Sequence, residues 1–275
     1  MSGELAAVLL AAGRGTRLHP LTRLRPKALC PVGNVPLVDR ALALVAGQGP
    51  AGPASVAVNA SWLAEQLAEH LAGRAHVSIE RPDPLGTAGG LARLREWIGG
   101  RAVLVGNADA YLSGGDLARL LAGWDGQAVR LLGVPGAPGE VGTFDGYRFA
   151  GFSLLPWRWV TDLPTGPGEL VHAVWRPAEA AGGLQVVGFG GFFQDTGTPA
   201  GYLAANRHAA VAAGGRIVAP DARVDGWCEE SVVGAGAVVQ GRLTRSVVWP
   251  DGRVGPDEHL VDAVRAGPDV TVSVS

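Results

Sequence analysis

The sequence predicts an α/β protein: a doubly wound, Rossmann-like, mostly parallel sheet followed by a short parallel β-helix. Three observations carry this. Short apolar runs alternate with helix-patterned stretches along the first part of the chain, the signature of strand–helix–strand units. The first apolar run ends in a glycine-rich loop, Ala11 to Gly15, as a buried strand feeding a ligand loop does. Residues 217–261 divide into three fifteen-residue repeats, IVAPDARVDGWCEES, VVGAGAVVQGRLTRS and VVWPDGRVGPDEHLV, and apolar residues six apart within each mark stacked β-helical coils.

The elements follow in order. Ala6 to Leu10 is wholly apolar and reads as a buried strand. Pro36 opens a helix through Leu37, Ala41, Leu44 and Val45, since proline suits a first helical turn. Ser55 to Val58 is a second strand. Ser61 is placed to cap a helix through Leu63, Leu67 and Leu71, with Glu65 completing a loose capping box. Val77 to Ile79 reads as a strand, Leu91 to Ile98 as a helix, and Arg101 to Val105 as an apolar strand ending at Gly106-Asn107-Ala108-Asp109. In the repeats, Val218, Val233 and Val248 share one phase, and Val224, Val239 and Val254 a second. A single coil cannot bury its own face, so coils stack. The expected division is a sheet domain at residues 1–215, the β-helix at 216–262, and a small polar tail at 263–275, loosely ordered.

Composition narrows the function. The chain has 275 residues, 47% of them hydrophobic, and a net charge of −2, so a sizeable core is available and nothing draws the whole molecule to nucleic acid or an anionic membrane. No apolar run is long enough to span a bilayer and the N-terminal run lacks a basic leader, so the expected location is the cytoplasm. Cys30 and Cys228 form neither a disulfide framework nor a metal pair. There are 22 arginines and one lysine, Lys27. A lone lysine on that background marks a position where a compact point charge is needed and the wider guanidinium fork fails.

Lys27 closes the first motif, Leu10-Ala-Ala-Gly-Arg-Gly-Thr-Arg17, followed by Arg25-Pro26-Lys27. Backbone N–H groups of a glycine loop can cradle a triphosphate, with Arg17 and Lys27 as phosphate cations. No Gly-Lys pair exists for a Walker loop, and Pro20 stands where a dinucleotide fingerprint continues into its helix. A second motif is Glu80-Arg-Pro-Asp-Pro-Leu85-Gly86-Thr87-Ala88-Gly89-Gly90. A third is Asn107-Ala-Asp109. A fourth is Asp195-Thr-Gly-Thr-Pro. The histidines show no metal spacing. Trp62 and Trp157 are the tryptophans placed to border a site.

With these motifs, residues 4 to about 213 resemble the sugar-1-phosphate nucleotidylyltransferases, and the β-helical appendage is similar to the short left-handed one of many members. The resemblance implies the nucleotidyltransferase fold and a magnesium-dependent transfer of a nucleoside monophosphate from a nucleoside triphosphate to a sugar 1-phosphate, with release of pyrophosphate. It places Leu10, Ala11, Ala12, Gly13, Gly15, Thr16, Leu85, Gly86 and Thr87 on the nucleotide, Arg17 and Lys27 on the transferring phosphates, Asn107 and Gly151 on the sugar, and Mg²⁺ on Asp109 and Asp195. Magnesium favours such hard oxygen donors. The wording PLGTAG is most similar to guanylyltransferases acting on mannose or heptose 1-phosphates, so GTP is the favoured donor. Asn59-Ala-Ser-Trp62-Leu and the short segment 133–149 instead resemble N-acetylmuramate-1-phosphate uridylyltransferases.

One family feature is missing. Many members hold the sugar phosphate with a second lysine, and this chain has only Lys27. Arg148 and Arg130 are the candidate replacements. Its absence also leaves open a non-catalytic nucleotide-sugar-binding regulatory subunit. An acyl-transferring β-helix is disfavoured, because only His259 lies in the repeats. The short coil stack, with exposed ends, suggests a homo-oligomer.

Overall fold

The structure is a computed structural model that describes residues 5–267 and 270–274. The chain divides into two compact units: residues up to 14 with 38–193, and 15–37 with 194 onward. This partition differs from the expected boundary at 215/216.

The first unit is built on a seven-stranded sheet. Its order across the sheet is Leu184–Gly188, Val129–Pro135, Tyr147–Leu155, Ala102–Asn107, Leu5–Leu10, Val56–Ala60 and His76–Ile79. All neighbours are parallel except Tyr147–Leu155, which is antiparallel to both strands beside it. The strands 5–10 and 102–107 are apolar because both faces are covered; Ala6 to Leu9 and Val103 to Leu104 are fully buried. From Leu5–Leu10 the chain winds outward through Val56–Ala60 to His76–Ile79. It then returns to the other side of the first strand at Ala102–Asn107. The winding direction therefore reverses between Leu10 and Asn107, where open α/β sheets bind ligands.

The helix Leu37–Ala46 forms as expected, but the next one is shorter, Ala64–His70. Leu63 precedes it at φ +49° with no side-chain cap. Ser61 and Glu65 thus make no capping box, and Glu65 pairs instead with Arg81. The second motif enters the helix Gly86–Arg93, and Arg95–Ile98 follows it. No helix among the described residues is long and apolar enough to cross a membrane.

The second unit holds the repeats, which form a parallel β-helix with three rows of short strands. Val218, Val233 and Val248 pair in register along one row, and Val224, Val239 and Val254 along the next. The third row aligns Cys228, Leu243 and Leu260. Buried Val233, Val239, Leu243, Val248 and Val254 fill the interior.

The helix Pro199–Ala212, whose first turn is capped by Thr198 accepting from the Gly201 N–H at 3.1 Å, ties the hairpin around Pro31–Pro36 into this unit. The Gly33 N–H donates to Asn206 Oδ1 (3.0 Å), Tyr202 donates to the Pro31 carbonyl, and Asn34 Nδ2 donates to the Val233 carbonyl (2.8 Å). These bonds explain why 15–37 and 194–215 group with the coils. The expected loose tail is largely ordered. Ala263–Ala266 is the last parallel row, and Val270–Ser273 pairs with it antiparallel, with Val264 and Ala266 buried beneath. Residues 268, 269 and 275 of that tail lie outside the described residues.

Candidate functional site

In the first unit a cavity of about 350 Å³ opens where the sheet reverses. Leu10, Ala12 and Gly13 supply one wall, Gly86 and Thr87 another, and Asn107 and Asp109 a third. The geometry is set from below. The amide of Asn59, at the end of its strand, is 2% exposed. Its Oδ1 accepts from the Ala11 N–H (2.6 Å) and the Ala12 N–H (3.3 Å). Its Nδ2 donates to Glu80 Oε1 at 2.8 Å, and Glu80 Oε2 accepts from the Leu85 N–H at 2.7 Å. One buried amide–carboxylate pair therefore fixes the glycine loop and the second motif relative to each other. Asn59 and Glu80 lie within segments the sequence singled out, yet neither was assigned a site role. Two polar residues at the ends of apolar strands were the available signal.

The second motif is held from its other side by the segment 166–170. The Ala88 N–H donates to the Gly168 carbonyl and the Gly168 N–H to the Leu85 carbonyl, both at 2.9 Å. Thr87 Oγ1 donates to Glu169 Oε2 at 2.7 Å and accepts from the Leu170 N–H at 2.7 Å. Gly86 is at φ +72°, and a Cβ there would stand 2.5 Å from the Gly168 carbonyl oxygen, so no other residue fits. Glu169, a third residue to which the sequence gave no site role, lines the cavity. Leu85 lines neither this cavity nor the smaller one beside it, although Pro84 and Gly86 on either side of it line the main cavity. Gly151 lines neither this cavity nor its neighbour. Its φ of +84°, with Ala110 Cβ 2.8 Å from where its own Cβ would be, gives it a packing role.

In the second unit the motif residues gather around Asp195. Gly15 leads into the turn Thr16–Leu18, and Thr22 Oγ1 donates to the Gly15 carbonyl at 2.8 Å. Lys27 is 8% exposed, with Nζ 3.7 Å from Asp195 Oδ1. Arg17 Nη2 lies 3.9 Å from Asp195 Oδ2. Asp195 Oδ1 also accepts from the Gly197 N–H at 2.9 Å, while 60% of its side chain is open to solvent. Lys27 thus presents its ammonium to an exposed carboxylate from a nearly buried stem. Nearby Cys30 is free, and burial pushes its thiol up to about 12 against the opposing pull of Arg25 and Lys27, so it is no nucleophile.

The candidate replacements for the second lysine are otherwise engaged. Arg130 donates to the carbonyls of Leu120, Ala122 and Gly123 at the end of the helix Ala118–Leu121, and to Gln185. Arg148 faces Glu140 at 3.6 Å. Neither lines the cavity, and neither do Trp62 and Trp157; Trp157 packs against the sheet core.

The nucleotidyl transferase family model matches residues 6–132, which contain the glycine loop, the Asn59–Glu80 pair, the second motif and Asp109. Residues 6–132 thus match a nucleotidyl transferase domain. Among its relatives in that family, mannose-1-phosphate guanylyltransferase of Mycobacterium tuberculosis is 28% identical over 295 residues, 95% of this chain and 79% of that protein. N-acetylmuramate alpha-1-phosphate uridylyltransferase of Neisseria meningitidis serogroup B is 35% identical over 111 residues, 38% of this chain. That match spans only 47% of the Neisseria protein. A solved chain from Bacillus anthracis, a candidate glucose-1-phosphate thymidylyltransferase, superposes with a TM-score of 0.63 at 18% identity. It covers 75% of this chain and 95% of its own, and supports the fold.

Proposed function

We propose that this nucleotidyl transferase joins a nucleoside triphosphate to a sugar 1-phosphate and releases pyrophosphate. The observation that carries the reading is the cavity at the point of sheet reversal, walled by the glycine loop, Gly86-Thr87 and Asn107-Ala-Asp109. A phosphate dianion is already a competent nucleophile, so the chain needs to position reactants and neutralise charge rather than supply a nucleophile of its own. A sugar-phosphate oxygen attacks the α-phosphorus and the bond to the β-phosphate oxygen breaks. Lys27 and Arg17 offset the charge of the triphosphate and of the departing pyrophosphate. Without substrate, Asp195 balances both cations.

Among the described residues no three His, Cys, Asp or Glu side chains gather to hold a metal. In this reading the carboxylates of Asp109 and Asp195 would each offer Mg²⁺ the hard oxygen donor it takes alongside substrate phosphates and waters. When bound, the ion would neutralise charge at the reacting phosphate. GTP and a mannose- or heptose-like 1-phosphate are the favoured pair, supported by the near full-length similarity to a guanylyltransferase. The stronger but local similarity to a uridylyltransferase supports UTP with N-acetylmuramate 1-phosphate as the second reading.

Pyrophosphate release from four triphosphates against mannose, glucose, heptose and N-acetylmuramate 1-phosphates tests the proposal. Release with one pair, and a loss of ~10²–10³ in rate with folding intact in Asp109→Asn or Asp195→Asn, is the expected outcome. Binding without release from any pair would leave a regulatory, nucleotide-sugar-binding subunit.

A further inference from the structure

Lys27 opens a single short helical turn, Lys27–Leu29. A turn of that length has too few bonds of its own to fix a side chain, so what holds the ammonium in place lies on either side of it. Both flanks end on one pair of buried aromatic residues. On the N-terminal side the Arg25 guanidinium lies 4.3 Å above the Trp249 ring, close enough for a cation–π attraction. On the C-terminal side the Pro31 carbonyl accepts from the Tyr202 hydroxyl and, at 3.5 Å, from Asn206 Nδ2. The two anchors are joined. Trp249 Nε1 donates to the Tyr202 hydroxyl at 2.9 Å, and the rings meet edge to face with centroids 6.4 Å apart. Burial raises the Tyr202 phenol above its ordinary value, so it stays a donor.

Trp249 belongs to the β-helix and breaks its repeat. The third positions of the three repeats are Ala219, Gly234 and Trp249. The side chains that fill the coil interior do not include this tryptophan, although it is fully buried. Its bulk is spent on Arg25 and on Tyr202 instead. Tyr202 lies in the helix Pro199–Ala212, which begins four residues after Asp195. The same aromatic pair therefore braces the Lys27 turn and the helix that follows its counter-charge, whose Oδ1 is 3.7 Å from Nζ.

We propose that Trp249 and Tyr202 are positioning residues: through Arg25 and Pro31 they set the place of the Lys27 ammonium. The third coil of the β-helix is then part of the apparatus that handles the phosphates, and not only an appendage. The catalytic consequence rests on the role proposed above for Lys27; the brace itself does not.

The chain's one lysine makes the test direct. Protein grown on ¹³C-labelled lysine gives one set of side-chain NMR signals, those of Lys27, read without substrate. Trp249→Phe keeps a ring and removes the N–H. Tyr202→Phe removes one hydroxyl. Arg25→Gln, at a half-buried position, removes the stack with the least risk to folding. Leu243→Ala is the control: it truncates the coil interior in another row and lowers the urea midpoint without touching the brace. The Lys27 signals should shift or broaden in the first three and stay in place in the control. Turnover should fall about 10–10²-fold in Trp249→Phe and Tyr202→Phe, the effect of a small misplacement. In a Lys27→Met background the same changes should cost no further factor, whereas a purely structural loss acts equally in both backgrounds. Lys27 signals unmoved in the three variants, or moved as much in Leu243→Ala, would overturn the brace, and so would an equal fall in the Lys27→Met background. Signals that move in a protein releasing no pyrophosphate from any pair would sink the transfer reading and leave the brace standing.

Discussion

Replacing Asn59 by alanine removes the amide that accepts from Ala11 and Ala12 and donates to Glu80. The pair is nearly buried, Asn59 being 2% and Glu80 1% exposed, with Asn59 bordering the cavity. The Ala11 N–H and Glu80 Oε1 each lose a short bond, at about 1–3 kcal/mol apiece. The longer contact to Ala12 adds less. The expected destabilisation of the sheet unit is therefore about 2–6 kcal/mol, a large share of the ~5–15 kcal/mol that holds a typical domain. Urea unfolding followed by tryptophan fluorescence measures it, and the same variant should bind triphosphate more weakly because the glycine loop loses its anchor. Asn59→Asp is the companion. It keeps the acceptor but sets a carboxylate against Glu80, so its defect should ease as acid protonates one of the pair. A cost below about 0.5 kcal/mol for Asn59→Ala, the level of an ordinary surface change, would refute the clamp.

Two further predictions follow from the second unit. Lys27→Arg keeps the charge but must fit a planar fork into a nearly buried slot; turnover should fall more than about tenfold, with the stability cost of mild overpacking, and wild-type kinetics would remove the need for lysine. Acid should loosen the coils. Arg265 and the Gly255 N–H hold the Glu258 carboxyl below its ordinary 4.5, and Arg245 holds Asp262 below 3.8. Both are depressed in the folded chain, so their contribution is present above those ordinary values and lost as pH falls through the folded ones. The melting temperature should drop below about pH 4.5, less steeply in Glu258→Gln, and a flat profile there would count against the pairing.

Much of this was legible in the sequence because the signals are local and periodic. Val218, Val233 and Val248 recur at the spacing of one coil, and the coils pair them in register. The strand Leu5–Leu10 and its loop announce themselves by an unbroken apolar run ending in glycine. The antiparallel insertion of Tyr147–Leu155 was not legible, since a strand buried on both faces reads the same in either direction. Ser61 looked like a cap, but the chain turns at Leu63 instead. At the site, Lys27, Asp109 and Asp195 stood out by motif. Asn59, Glu80 and Glu169 did not, because their importance lies in partners distant along the chain, and single-sequence spacing does not report such pairs.

The antiparallel strand Val270–Ser273 alters how the coil stack can meet a neighbour. A parallel β-helix ends in a row of unpaired backbone groups that invites another chain to continue it. Here that row, Ala263–Ala266, is already occupied by a strand running the opposite way. A second molecule arriving at that end finds reversed polarity and outward Thr271 and Ser273. Continuation of the parallel coil stack through this edge is thereby disfavoured, since an arriving chain meets an antiparallel strand with polar outward residues.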